Sequence, residues 1–414
     1  MNPYSLEYLV ALFVSAGLFF RLPSPGARRA ALAAGSFGFL YTYLPNPLSW
    51  AVLAGFLGSG HAMGRLLRSR PSRLALGAYL AVLVGVFVVL KKYEIVKLVA
   101  PERLLETPIA IVGLSYMLFR QIHFLVDSMQ GQIERASLWD YTNYQINLFT
   151  LLAGPIQRFQ DFQDYWDRPR PLLTDRHEIL RAYRRLFLGV LKVVVASEFL
   201  RTLGNRFHDR LTESAGAVSH PGLFLAAYLY SFLMYLYFNF SGYCDVAIAG
   251  SSLVGPRLPE NFDRPFLARN ILDYWSRWHI TLGHWIRDYL FLPFYKTSVE
   301  RWPSHGKAAA VAGYFVAFTL AGVWHGSTWN FLVYGLLHGA GASANKLWES
   351  AIVHRYGRKG LKTYLQSPTA RRLATIVTFH YACFSLLFFA LDLNQIQAIL
   401  GVILGSAGRS YRGY

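Results

Sequence analysis

The sequence predicts an all-α polytopic membrane protein of about eleven transmembrane helices plus re-entrant pieces. Three observations predict it. Only 15% of the 414 residues are charged, where a soluble domain carries about 25%. Hydrophobic residues make up 54% and aromatics 16%, and they come in charge-free blocks. The net charge of +18 is concentrated between those blocks, on alternate turns. Disorder, collagen-like and coiled-coil classes are excluded by the apolar content. Nucleic-acid binding is unsupported, because the Lys and Arg residues spread over loops without a recognition motif.

Crossing a bilayer takes about 20 mostly apolar residues. Tyr8–Phe20 is the first candidate; it lacks a basic leader and an Ala-x-Ala site, so it reads as a retained span. Ala30–Gly64 contains no Asp, Glu, Lys or Arg, and Pro45-Asn46-Pro47 interrupts it, which predicts two spans joined by a tight turn. Leu74–Leu90, Pro108–Val126 and Leu186–Leu200 follow. Asn143–Ile156 is apolar but too short to cross and return, and reads as a re-entrant segment. Gly222–Val254 holds Asn239, Ser241, Gly242 and Asp245 and reads as one long, broken span. Ala308–Asn345 is a second charge-free pair, turning at His325-Gly326-Ser327-Thr328. Leu373–Leu391 and the weaker Leu393–Leu404 complete the set.

Basic residues orient these spans. Arg21, Arg28 and Arg29, then Arg65, Arg68, Arg70 and Arg73, alternate with uncharged turns, so the N-terminus is expected outside. Arg135, Arg158 and the run from Arg168 to Arg185 then face the cytoplasm, as do Arg257, Arg264 and Arg269, with Arg409 and Arg412 placing the C-terminus inside. No composition shift or linker divides the chain, so residues 1–414 read as one integral-membrane domain. Cys244 and Cys383 lie in apolar segments and read as free thiols; no metal-ligand spacing occurs.

Ionisable groups at membrane depth are functional candidates. Ile271–Phe291 sorts at about 100° per residue into a Trp-rich apolar arc and a polar arc, which predicts one amphipathic helix. His279 breaks the sorting by falling among the apolar residues, whereas His284 sits in the polar arc as a solvated side chain. His325 interrupts the charge-free pair beside Trp324. A neutral imidazole buried there is poised as a general base toward a hydroxyl. His338, beside Gly335 and Gly339, and His380 read as sites of close helix packing.

These residues also carry a resemblance. Trp275-Ser276-Arg277-Trp278-His279, Trp285-Ile286-Arg287-Asp288-Tyr289 and Gly322-Val323-Trp324-His325-Gly326 resemble the signature of the membrane-bound O-acyltransferase (MBOAT) superfamily. Supporting matches include Gly113-Leu114-Ser115-Tyr116, Ala153-Gly154-Pro155-Ile156-Gln157-Arg158-Phe159, Phe238-Asn239-Phe240-Ser241-Gly242-Tyr243 and Pro259-Glu260-Asn261-Phe262. The resembled branch is the bacterial one that acylates cell-envelope polymers, spanning DltB and the alginate O-acetylases. The compact length and Thr378-Phe379-His380 look nearer DltB. Gly283-His284 departs from the Ser-x that commonly follows, and the Leu-Gly-Gly of many acetylases is replaced by Leu292-Pro293-Phe294-Tyr295.

The resemblance implies a helical fold with a central tunnel, a core over about residues 105–345, and residence in the bacterial inner membrane. It implies His325 as the catalytic base and His279 as the second histidine. Trp275, Arg277, Trp278, Trp324, Asn239 and Ser241 are the expected substrate-binding residues. No tightly bound cofactor is implied; the donor is an acyl thioester, acetyl-coenzyme A or an acyl or D-alanyl carrier protein bearing phosphopantetheine. The basic cytoplasmic face suits such an anionic or acidic partner. An extracytoplasmic acyltransferase of SGNH or Dlt type is the further expected partner. Two other classes compete: a transporter of the acyl unit, which predicts inverted repeats that the sequence does not display, and a non-catalytic export scaffold, which predicts a dispensable His325.

Overall fold

The computed structural model describes residues 22, 24–44, 46–101, 109, 111–167, 175–213 and 220–405. The expected first span Tyr8–Phe20 and the terminal Arg409 and Arg412 lie outside these residues. Among the described residues all regular structure is helical, with one isolated antiparallel bridge between Phe262 and Trp278. Among the described residues four helical stretches are long and apolar enough to cross a membrane: Arg73–Leu90, Pro221–Val254, Pro303–His325 and Pro368–Ala390. The chain divides into two compact units, Met1–Leu191 with Gly242–Glu260, and Lys192–Ser241 with Asn261–Tyr414.

In the first unit, α1 (Pro25–Tyr41) and α2 (Pro47–Ser69) are separated where the prolines predict a turn. Asn46 caps α2 by accepting from Ser49 N at 2.9 Å, and Pro47 occupies the first turn, where its missing N–H is harmless. There follow α3 (Arg73–Leu90), α4 (Glu94–Val99), α5 (Leu114–Met129), α6 (Leu138–Gln145), α7 (Phe159–Asp167) and α8 (Arg176–Leu191). Helix α2 meets α5 and α6 at Gly60 and Gly64, where a side chain would collide with Gln121, Tyr141 and Phe124.

After α6 the chain abandons the helix, and Arg120 holds it. This guanidinium, 1% exposed, donates to the carbonyls of Tyr144 at 3.0 Å, Gln145 at 2.7 Å and Thr150 at 2.5 Å. The expected re-entrant segment is thus the end of α6 followed by irregular backbone, with three of its carbonyls met by one guanidinium. Nearby, His123 Nε2 accepts from Phe159 N at 2.9 Å while Nδ1 faces Asp127 at 3.2 Å, fixing the start of α7. Arg185 on α8 forks onto Glu260 with two bonds of 2.6 Å and reaches Asp245 at 2.8 Å.

The second unit opens on a π-helical turn, Lys192–Ser197, and α9 (Glu198–Glu213). Helix α10 (Pro221–Val254) runs unbroken for 34 residues, correcting the expectation of a break. The polar residues that suggested one are served by neighbouring helices: Asn239 Nδ2 donates to Ser197 Oγ at 3.4 Å, and Asp245 takes Arg185. No backbone bond of α10 has to open for them.

Ile271–Phe291 is not one amphipathic helix, a second correction. It divides into α11 (Ile271–Trp275), α12 (Ile280–Ile286) and a π-helical turn, Arg287–Phe291, before α13 (Leu292–Arg301). His279 lies between the first two with φ 50° and ψ 52°, a left-handed conformation that a continuous helix forbids. Helices α14 (Gly306–His325) and α15 (Trp329–Gln366) form the hairpin expected around residues 325–328, and α15 kinks at Gly357, whose φ is 66°. Helices α16 (Pro368–Ser385), α17 (Leu387–Ala390) and α18 (Leu393–Ile403) complete the unit. Tyr228, Leu229 and Leu233 of α10 pack with Tyr334, Cys383, Leu386, Leu387 and Leu391 in its core. Cys244 and Cys383 are buried and unbridged, as the sequence predicts.

Small residues set the α14–α15 spacing. A Cβ on Gly335 would lie 2.5 Å from Thr319 O, and one on Gly339 would lie 2.7 Å from Phe315 O. Gly77 in α3 has open space around it. Gly335→Ala should therefore cost about 1–3 kcal/mol through overpacking and lower the apparent Tm in detergent. Gly77→Ala should hold or raise it, since Ala is the better helix former by about 1 kcal/mol. Tryptophan-fluorescence melting of both variants checks the pair.

Candidate active site

The site begins with a short pairing of two extended segments. Phe262 bridges Trp278, Asp263 N donates to Arg277 O at 2.9 Å, and Ile280 N donates to Asn261 O at 3.0 Å. These bonds satisfy the backbone that α11 and α12 leave open. Asn261, 1% exposed, ties the turn from its side chain. Its Oδ1 accepts from Thr281 N at 3.1 Å and Thr281 Oγ1 at 2.9 Å, and lies 3.3 Å from His279 Nδ1. A carbonyl oxygen only accepts, so the His279 proton sits on Nδ1 and Nε2 is the acceptor nitrogen of the neutral ring. The ring is 2% exposed and edge-on to Phe240 at 4.7 Å.

The flanking residues brace this turn. Trp278 stacks on Tyr274 with centroids 5.6 Å apart and meets Phe262 edge-on at 5.1 Å. Arg277 Nε donates to Asp273 Oδ1 at 2.7 Å, and its NH1 lies 3.7 Å from Asp263 Oδ2. Its guanidinium thus ties the two sides of the turn. Gly283, a departure from the resembled motif, allows α12 to fold back on α11: a Cβ there would lie 2.8 Å from Trp275 O.

His325 is the last residue of α14. Its ring lies among Trp324 at 4.9 Å, Phe389 at 5.5 Å and Tyr334 at 5.9 Å. Its Nε2 is buried and makes no hydrogen bond among the described residues. Native proteins rarely leave such a nitrogen unpartnered, because desolvation without compensation costs about 1–3 kcal/mol. Both His279 and His338 lie within electrostatic reach of it.

His338 meets its close-packing expectation and adds to it. The helices do approach at Gly335 and Gly339, but the ring is also fully committed. Trp275 Nε1 donates to its Nδ1 at 3.1 Å, and Nε2 lies 2.9 Å from Ser385 Oγ, whose own proton goes to Ala382 O at 2.7 Å. The chain has one consistent proton arrangement, running from Trp275 through His338 and Ser385 to the carbonyl. It fixes the indole of Trp275 beside the His279 turn. His380 bonds Ile376 O of its own helix at 2.8 Å, and its ring meets Tyr230 of α10 edge-on at 5.9 Å, a contact between helices as expected.

The structure thus gathers His279, Trp275, Trp278 and Arg277 into one braced turn, with His325 and Trp324 at the hairpin end. Asn239 and Ser241 flank Phe240 on α10. Asn239 bonds Ser197, and Ser241 Oγ is buried without a hydrogen-bond partner among the described residues. Asn261, Thr281, His338 and Ser385 were not expected as site residues. Asn261 stands in the Pro259-Glu260-Asn261-Phe262 motif, which was the available signal; Ser385 carried none. Among the described residues no group of three or more His, Cys, Asp or Glu is placed to hold a metal ion.

The family model for membrane-bound O-acyltransferases matches residues 76–388. A teichoic acid D-alanyltransferase of Bacillus subtilis (strain 168) is 30% identical over 288 residues, 68% of this chain and 69% of that protein. A peptidoglycan O-acetyltransferase of Helicobacter pylori is 30% identical over 278 residues, 65% of this chain and 46% of the relative. A probable alginate O-acetylase of Azotobacter vinelandii is 28% identical over 229 residues, 55% and 43%.

The bonding differences make a stability contrast. Asn261→Ala strands three groups in the protein interior and should destabilise by about 1–3 kcal/mol or more. Asn239→Ala gives up one long bond at a half-buried position and should cost about 0.5–1 kcal/mol. Apparent Tm values of the purified variants, measured side by side, check the order.

Proposed function

This chain belongs to the membrane-bound O-acyltransferase family and is an O-acyltransferase, and from that premise we propose that it acylates hydroxyl groups for a cell-envelope polymer. The acyl group, D-alanyl or acetyl, comes from a thioester on the cytoplasmic face: acetyl-coenzyme A or a carrier protein with a phosphopantetheine arm. The relatives named for teichoic acid D-alanylation cover more of this chain than those named for O-acetylation, which favours the D-alanyl reading. About eleven crossings with the N-terminus outside and the C-terminus inside, and a tunnel through them, complete the picture. An extracytoplasmic acyltransferase then carries the group onward.

The observation that carries this reading is the unpartnered, buried His325 Nε2. In the proposed step it accepts the proton of the acceptor hydroxyl as that oxygen attacks the thioester carbonyl. The carbon–sulfur bond breaks, and the imidazolium returns its proton to the departing thiolate. General-base help of this kind is worth about 10²–10⁴-fold. His279 takes a different part. Its proton is bound to Asn261, so the neutral ring has no second N–H with which to polarise a carbonyl; it places the donor arm. Trp275, Trp278 and Trp324 shape the passage, and the Arg277 guanidinium keeps the turn rigid. Orientation matters more than activation for an already reactive thioester.

Full-length protein in detergent with labelled donor tests this. His325→Ala should lower kcat by about 10²–10⁴-fold with the apparent Tm little changed. His279→Ala should act mainly through the KM for the donor. Transfer by His325→Ala at the parent rate would remove the catalytic assignment and favour an export scaffold.

A further inference from the structure

Beside the braced turn lies a polar pocket of about 260 Å³ lined by residues in and around α11 and by residues of α15 and α16. Three guanidiniums, those of Arg269, Arg277 and Arg371, face it with two carboxylates, Asp273 and Glu349. The carboxylates are already engaged. Asp273 takes Arg277 Nε at 2.7 Å and Arg269 N at 2.9 Å, while Glu349 takes Lys346 at 2.9 Å and Asn345 at 3.2 Å. Arg269 and Arg371 form no ion pair among the described residues. Arg269 is moreover half-buried, a position where an unmatched cation is costly unless an anion joins it.

The surroundings place this pocket by charge. Between His354 and Leu373 the chain carries Arg355, Arg358, Lys359, Lys362, Arg371 and Arg372 and no Asp or Glu. A bias of that kind marks cytoplasmic loops, and it raises the local concentration of anions at the pocket mouth. One wall is the indole of Trp348, 55% exposed, which gives an anionic ligand an apolar shoulder. Planar guanidiniums with several N–H groups match phosphate oxygens better than any other side chain does.

We propose that this pocket receives the phosphate ester at the head of the thioester donor, with Arg269 and Arg371 as its two forks. The proposal rests on the acyltransferase reading for the donor's identity. The phosphate is held at the cytoplasmic rim, and the pantetheine arm runs from there past Arg277 toward His279, two residues further along the same turn. The pocket thereby selects thioesters that carry a phosphate over those that do not.

Direct binding tests it without turnover. Full-length protein in phosphatidylcholine nanodiscs is titrated with phosphopantetheine and with pantetheine, which lacks the phosphate. The parent should prefer phosphopantetheine about tenfold or more, an advantage that shrinks at high salt. The double variant Arg269→Gln, Arg371→Gln should bind the two alike, with an unchanged apparent Tm, and Arg269→Lys, Arg371→Lys should restore part of the preference. Equal binding by the parent, or a preference that survives in the Gln variant, overturns the proposal. A preference that vanishes in phosphatidylglycerol nanodiscs at equal salt gives the pocket to a lipid headgroup and overturns the donor assignment. His325→Ala should keep the preference. If the parent shows it while transferring no acyl group, the transfer reading falls and the phosphate pocket stands.

Discussion

Backbone that leaves the α-helix within an apolar interior has no water to turn to, so its polar groups must be met by the protein itself. Each of the two units meets this constraint with one buried side chain. Arg120 serves the last two carbonyls of α6, those of Tyr144 and Gln145, and the carbonyl of Thr150 in the non-helical segment beyond them. Asn261 serves the turn between α11 and α12, together with the short pairing of residues 261–263 with 277–280. The left-handed His279 exists because Asn261 can accept from it and from Thr281 at once. The positions of Trp275, Trp278 and Arg277 follow from that turn.

Three histidines of the second unit, two buried and one half-buried, illustrate how hydrogen bonding divides labour among identical side chains. His338 is bonded at both ring nitrogens and serves as a strut for Trp275. His279 has its proton assigned by Asn261. His325 Nε2 bonds no group among the described residues, a difference that burial alone does not express. The arrangement also explains why neighbouring aromatic rings are so numerous: they fix the imidazole planes without competing for the nitrogens.

Much of this was legible in the sequence, and the rest was lost for definite reasons. The prolines around Asn46 announced a break between two helices, and Gly326 to Thr328 announced a hairpin, because both interruptions act within a turn of chain. His279 and His325 stood out because their surroundings are apolar. The single helix over Ile271–Phe291 failed because periodicity assumes one φ and ψ throughout. The bonds that stabilise His279 at φ 50° come from Asn261, eighteen positions away. A break in α10 was expected from polar residues whose partners, Ser197 and Arg185, lie on other helices. His338 looked like packing because Ser385 is 47 residues distant. Local pattern reports what a residue is, whereas its satisfaction is decided by elements that the pattern does not contain.

Arg120 also bears on the order in which the protein is made. Its three acceptor carbonyls lie 24, 25 and 30 residues further along the chain. When α5 emerges from the ribosome, the groups that neutralise its guanidinium have not yet been synthesised. A guanidinium buried without partners is costly, so the burial of Arg120 depends on a segment that is synthesised after it. An arginine and its acceptors, written 24 to 30 codons apart, thus depend on one another for their final environment.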